Sequence, residues 1–197
     1  DLGDEDIIIF PGSKNTIADL EDLKKRGIFE KVKELKEKGK IIIGICGGLQ
    51  MLGKKIYDLK HLESDILETE GFNFFDYETT FDEIKKTEQV TKKIEVIEGI
   101  LKDFNGYEIK GYEIHQGVTN ILTPIICKDN VFATYIHGIF DNSKFTNDFL
   151  NMIRKQKNMP ERKEILSFNE FKEREYDKLA KLLRENLDIK EIYRILD

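Results

Sequence analysis

The sequence predicts an α/β fold with a doubly wound, mostly parallel sheet flanked by helices. Three observations carry that prediction. Short apolar runs, Asp6–Phe10 (DIIIF) and Ile41–Ile45 (IIIGI), alternate with segments of helical periodicity. IIIGI is apolar throughout rather than at every second position, as a parallel strand covered on both faces requires. Each run leads into a glycine-bearing turn, Pro11-Gly12-Ser13 after the first and Cys46-Gly47-Gly48 after the second.

The other elements follow in order. Thr16–Lys25 has helical spacing, with Asn15 or Thr16 as its cap. Phe29–Lys38 is a second amphipathic stretch, stopped by Gly39. Gly48–Lys55 should be the helix that follows the isoleucine-rich strand. From Tyr57 to Phe104 the pattern is weak. There Glu70–Phe75 and Glu78–Phe81 read as short loops or strands, and Val90–Ile97 as a strand. Tyr107–Val118 alternates and reads as a pair of strands or a hairpin. Val131–Ile136 reads as a strand, and Ser143–Lys157 and Phe168–Leu196 as helices. The echo GYEIK/GYEIH is too short to be a structural repeat.

The bulk properties exclude several classes. A length of 197 residues suits one sizeable domain, residues 1–197. Hydrophobic content of 40% with 36% charge suits a chain with a real core. The net charge is −6 with both signs interspersed, so no nucleic-acid partner is expected. No apolar run approaches the ~18 to 20 residues of a membrane span, so no membrane is expected either. Cys46 and Cys127 lack metal-ligand spacing, so no metal is expected, and the low cysteine count fits a reducing, cytoplasmic setting. The start DLGDEDIIIF carries no Met and no signal peptide, which reads as part of a longer chain.

Cys46 is the residue that decides function. In Gly44-Ile45-Cys46-Gly47-Gly48, glycines stand two before and two after the cysteine. A sharp strand-to-helix turn needs that relief to hold an exposed nucleophile. The helix N-terminus would favour a thiolate, and the Gly47 N–H would face a developing oxyanion. A small buried hydrophobe at a strand end is the competing reading of the same cysteine. A thiol nucleophile needs a base, and the histidines are His61, His115 and His137. His137 follows strand-like ATYI, where ligand groups collect at the carboxyl ends of parallel strands. His61 reads as a surface residue, and spacing alone does not separate His115 from His137 as base. Cys127 lacks flanking elbow glycines and reads as structural.

Gly44–Gln50 resembles the G-x-C-x-G-x-Q elbow of class I (triad-type) glutamine amidotransferases. The fuller set of PGSKNTIADL, GICGGLQMLG, ESDI with EG, GYEIHQG and YIHGIFDN, in that order, resembles the C-terminal glutaminase domain of the cobyric acid synthase family. The closing REYDKLAKLLRENLDIKEIYRIL is similar to that domain's last helices. The resemblance spans nearly the whole chain. It implies that Cys46 attacks the side-chain amide of glutamine, with His137 as general base and acid. It places the oxyanion donors at Gly47 and the Gly12 turn, and a substrate contact at Gln50. Glu113, His115 and Gln116 are implied near the substrate. Typical triads carry a Glu two residues after the histidine, but Ile139 stands there, so the third member is open, with Glu113 and Asp141 as substitutes.

The resemblance also implies partners. Glutamine is the substrate, and the ammonia goes to ATP-dependent amidation of corrinoid carboxylates in cobalamin biosynthesis. No G-x-x-x-x-G-K-[ST] loop occurs. ATP, Mg²⁺ and the corrinoid are therefore expected to bind an N-terminal synthetase domain outside this chain, and no cofactor is expected within it. The alternatives are the glutaminase of cobyrinic a,c-diamide synthase or of a cell-wall amidotransferase, a thiol hydrolase, and a non-catalytic docking module of the same fold.

Overall fold

Isoleucine-rich segments set the framework, because β-branched side chains pack well on a pleated surface. In the computed structural model, which describes residues 2–163 and 167–196, the chain divides into two compact units, 1–139 and 140–197. The first unit runs β1 (Ile7–Phe10), α1 (Thr16–Lys25), α2 (Ile28–Glu37), β2 (Ile41–Ile45), α3 (Gly47–Leu52), β3 (Lys55–Tyr57), β4 (Glu68–Glu70), β5 (Glu78–Lys93), β6 (Glu108–Thr119), β7 (Ile125–Lys128) and β8 (Val131–Thr134). The α/β architecture is the expected one, with its strands in two four-stranded sheets, β1-β2-β8-β7 and β4-β3-β5-β6. In the first sheet β1, β2 and β8 are parallel and β7 is antiparallel.

Local chemistry explains the helix ends. Asn15 caps α1 by accepting the Ala18 N–H at 3.2 Å. Gly39, at φ 79°, ends α2: its N–H donates to Lys36 O, and the Lys40 N–H to Leu35 O. That paired reversal returns the chain directly into β2. Phe72 fills the space between these elements. It is 2% exposed, stacks on Phe29 at 4.3 Å between centroids and tilts against Phe10 at 5.0 Å.

Several boundaries differ from the sequence expectations. The helix expected over Gly48–Lys55 starts at Gly47 and ends at Leu52, because Gly53 is pressed against Tyr77 and Lys55 enters β3. Glu78–Phe81 and the first half of Val90–Ile97 belong to one long strand, β5, which ends at Lys93 and whose middle from Glu83 to Gln89 is exposed on both faces and so carries no alternation. Tyr107–Val118 is not a hairpin: it forms β6, antiparallel to β5 along its length, with a register shift between Phe81 and Lys86. Gly111 lies within this strand, where a Cβ would overlap the His137 carbonyl oxygen. Val131–Ile136 stops as a strand at Thr134, and β7 was not anticipated.

The second unit contains α4 (Ser143–Gln156), α5 (Phe168–Asn186) and α6 (Ile189–Leu196), so the helical expectation holds there with a break near residue 188. Ser167 and Glu170 form a capping box on α5, and Asp188 accepts the Glu191 N–H at 3.0 Å to start α6. Among the described residues no helix is long and apolar enough to cross a membrane.

Replacing Phe72 with Ala should cost about 3–5 kcal/mol of unfolding free energy. Urea denaturation checks this, and a loss below about 1 kcal/mol would mean the aromatic cluster does not hold the first unit together.

Candidate active site

Cys46 leaves β2 with φ 55° and ψ −109°, a conformation that side chains other than glycine rarely adopt. The surroundings force it. A Cβ on Gly48 would overlap the Phe10 carbonyl oxygen, and one on Gly44 would lie 2.7 Å from the Gly48 oxygen. Both glycines are therefore required for α3 to start against the ends of β1 and β2. This is the elbow that the glycine spacing predicted.

The thiol is buried, at 7% exposure, and donates toward the Ile114 carbonyl oxygen at 3.5 Å. Burial pushes its pKa up to about 11, outweighing the Gly47 N–H that draws it down. The thiolate expected from the helix N-terminus is thus not the resting species. Desolvation dominates because α3 is only six residues long and wholly buried.

A Cβ on Gly12 would sit 3.2 Å from His137 Cε1 and 3.9 Å from Cys46 Sγ, so ring and thiol share the space over Gly12. The His137 backbone is clamped to Tyr112 in both directions, at 2.8 and 3.2 Å. Its ring stacks on Tyr112 at 4.9 Å and 7°. Burial, and then the charge of His115, lower its pKa, which favours the neutral imidazole. Its Nε2 is buried without a hydrogen-bond partner among the described residues. Ile139 is fully buried two positions on.

Gly47 opens α3, so its N–H has no acceptor within the helix. A Cβ there would lie 2.9 Å from the Ser13 nitrogen, which brings the Gly12-Ser13 turn beside it. Gln50 is 3% exposed; its carbonyl accepts from Thr16 Oγ1 at 3.2 Å and its amide donates to Tyr135 Oη at 3.3 Å. His115 stacks on Tyr135 at 3.7 Å, with Nδ1 on the Gly117 oxygen at 2.8 Å. Glu113 ion-pairs with Lys86 at 2.5 Å and lies 3.5 Å from His115. With Gln116, these two line a hollow of about 520 Å³. Asp141 belongs to the second unit. His61 is exposed on its loop, and Cys127 is half-buried, accepting the Leu101 N–H at 3.4 Å. No cluster of three or more potential metal ligands occurs among the described residues.

Residues 1–145 match the model of the CobB/CobQ-like glutamine amidotransferase domain. The chain belongs to that family. Relatives extend the similarity over its whole length. It is 41% identical to the cobyric acid synthase of Caldanaerobacter subterraneus and 43% identical to that of Clostridium novyi, covering all of this chain but 43% and 42% of those proteins. A cobyric acid synthase of Streptococcus sanguinis is 40% identical over the same extent. The chain thus spans less than half the length of the curated relatives it matches. A solved glutamine amidotransferase structure aligns over 74% of this chain and 77% of its own, at 15% identity and a TM-score of 0.48.

The residues around this amidotransferase elbow that sequence reasoning overlooked are Tyr112, Tyr135 and Thr16. Both tyrosines lie inside segments singled out for their histidines, Tyr112 within β6 and Tyr135 just past the end of β8.

Because the thiol pKa is about 11, alkylation of Cys46 by iodoacetamide should rise about tenfold per pH unit from pH 7 to 10. Rates read by peptide mass spectrometry test this, and a plateau below pH 8 would contradict a protonated resting thiol.

Proposed function

We propose that this chain is the glutaminase of a cobyric acid synthase, releasing ammonia from glutamine for amidation of corrinoid carboxylates. The observation that carries the reading is the positive-φ Cys46 sharing the space over Gly12 with His137. The chain-wide similarity to cobyric acid synthases supplies the acceptor class.

In this reading both partners rest neutral, so the reaction begins with proton transfer. His137 takes the proton from Sγ as sulfur adds to the side-chain amide carbon of glutamine. The N–H groups of Gly47 and the Gly12-Ser13 turn stabilise the tetrahedral oxyanion. His137 returns the proton to the amine, ammonia leaves, and a γ-glutamyl thioester remains on Cys46. Water, deprotonated by His137, then releases glutamate and restores the thiol. The Tyr112 ring orients His137, the task a carboxylate performs in typical triads. Gln50 supports the pocket wall from Thr16 to Tyr135, while Glu113, His115 and Gln116 line a hollow whose walls include neither Cys46 nor His137, so they act on the site through Tyr135 and the Ile114 backbone.

ATP and Mg²⁺ act in an N-terminal synthetase domain, since this chain has no phosphate-cradling loop. Ile139 in place of the usual carboxylate two residues after His137 favours slow glutamine turnover until that domain docks.

Treatment with 6-diazo-5-oxo-norleucine, an electrophilic glutamine mimic, should place one adduct on Cys46 and none in Cys46→Ser. His137→Ala should lower glutaminase kcat by about 10²–10⁴-fold. An adduct only on Cys127, or full activity in His137→Ala, would sink the assignment. Turnover should increase when the chain is joined to its synthetase half; equal turnover would remove the docking requirement.

A further inference from the structure

The ESDI segment stood out in the sequence but takes no part in the chemistry above. It lies in the loop between β3 and β4, and the loop is tightly built. The buried Asp58 carboxylate accepts the N–H groups of Leu62, Glu63 and Ser64 at 2.7, 2.8 and 2.9 Å. This fixes Glu63 with its Oε2 accepting the Thr16 N–H at 2.9 Å. Thr16 Oγ1 in turn lies against Gly47, where a Cβ would be 3.1 Å away. The Glu63 carboxylate therefore stands at the start of α1, one residue's width from the nucleophile elbow. It is half-buried, and among the described residues no Lys or Arg forms an ion pair with it.

A cation stands on the other side. The register of β5 shifts between Phe81 and Lys86, and Lys85 lies in that irregular stretch. Lys86 pairs with His115, and Thr87 with Ile114, whose carbonyl faces the thiol. Lys86 is held by Glu88 and Glu113, whereas Lys85 has no ion pair among the described residues. Glu63 and Lys85 are also the two side-chain charges felt at Sγ, the first raising and the second lowering the thiol pKa.

A carboxylate and an ammonium that form no ion pair among the described residues, and that both act on one nucleophile, match one kind of substrate end, a free α-amino acid. We propose that Glu63 receives the α-ammonium of glutamine and Lys85 its α-carboxylate, so that the pair selects free glutamine over amides that lack the zwitterion. This rests on the glutaminase reading. Glu63 is the stronger arm, because a half-buried carboxylate accepting charged N–H groups is screened less than an exposed lysine.

The test compares two reagents at Cys46. 6-Diazo-5-oxo-norleucine carries the zwitterion, and iodoacetamide does not. Glu63→Gln keeps an oxygen for the Thr16 N–H while removing the charge, and Lys85→Met keeps the stem. Alkylation of Cys46 by the glutamine mimic should slow about tenfold in Glu63→Gln and about threefold in Lys85→Met. The iodoacetamide rate should stay the same or rise in Glu63→Gln, since a negative charge near the thiol is lost. A mimic rate unchanged in either variant, or an equal loss with both reagents, overturns the clamp. Failure of the unaltered chain to react with the mimic, while iodoacetamide labels Cys46, overturns the glutaminase reading instead.

Discussion

The close approach of Gly48 to the Phe10 carbonyl governs the site. With a side chain at position 48, α3 could not begin where it does. The Gly48 N–H donates to Pro11 O at 3.1 Å and ties the helix start to the end of β1. Cys46 must then absorb the turn between β2 and α3, and it does so at positive φ. The cost of such a conformation, roughly 1–3 kcal/mol, persists only where surrounding packing over-determines it. Here the two sheet ends and the fully buried Leu49 and Leu52 provide that packing.

The same burial shapes the chemistry. A thiol shielded from water resists ionisation, and a shielded imidazole resists protonation. Burial moves both groups toward their neutral forms, which disfavours an ion pair between them. A protonated thiol is a poor nucleophile, and a hydrogen bond made in a site with little water counts for more than one made in solvent.

The parallel half of the fold was legible because its strands are short, apolar and closed by glycine. Ile41–Ile45 and Thr16–Lys25 were bounded to the residue. The second sheet was not, for two physical reasons. The middle of β5 is solvated on both faces, which removes the period-2 signal. Gly111 and Gly117 in β6 mark places where another chain segment or side chain comes too near for a Cβ, which mimics turn chemistry in sequence. At the site, the elbow spacing and His137 were readable as motifs. The roles of Tyr112 and Tyr135 depend on cross-strand neighbours, which one sequence does not display.

The long ribbon of β5 and β6 gives the site two walls of unequal stiffness. Cys46 stands on the central strand of a parallel sheet, where ladders on both sides resist displacement. The carbonyl facing it, at Ile114, belongs to β6, which pairs with solvent-exposed β5 on one edge and is tied to His137 on the other through the Tyr112 bridge. Regions with few buried contacts open first under thermal agitation. Heat should therefore loosen the outer strand β5 first, while the bridge at Tyr112 holds the Ile114 carbonyl and His137 in one frame beside the sulfur.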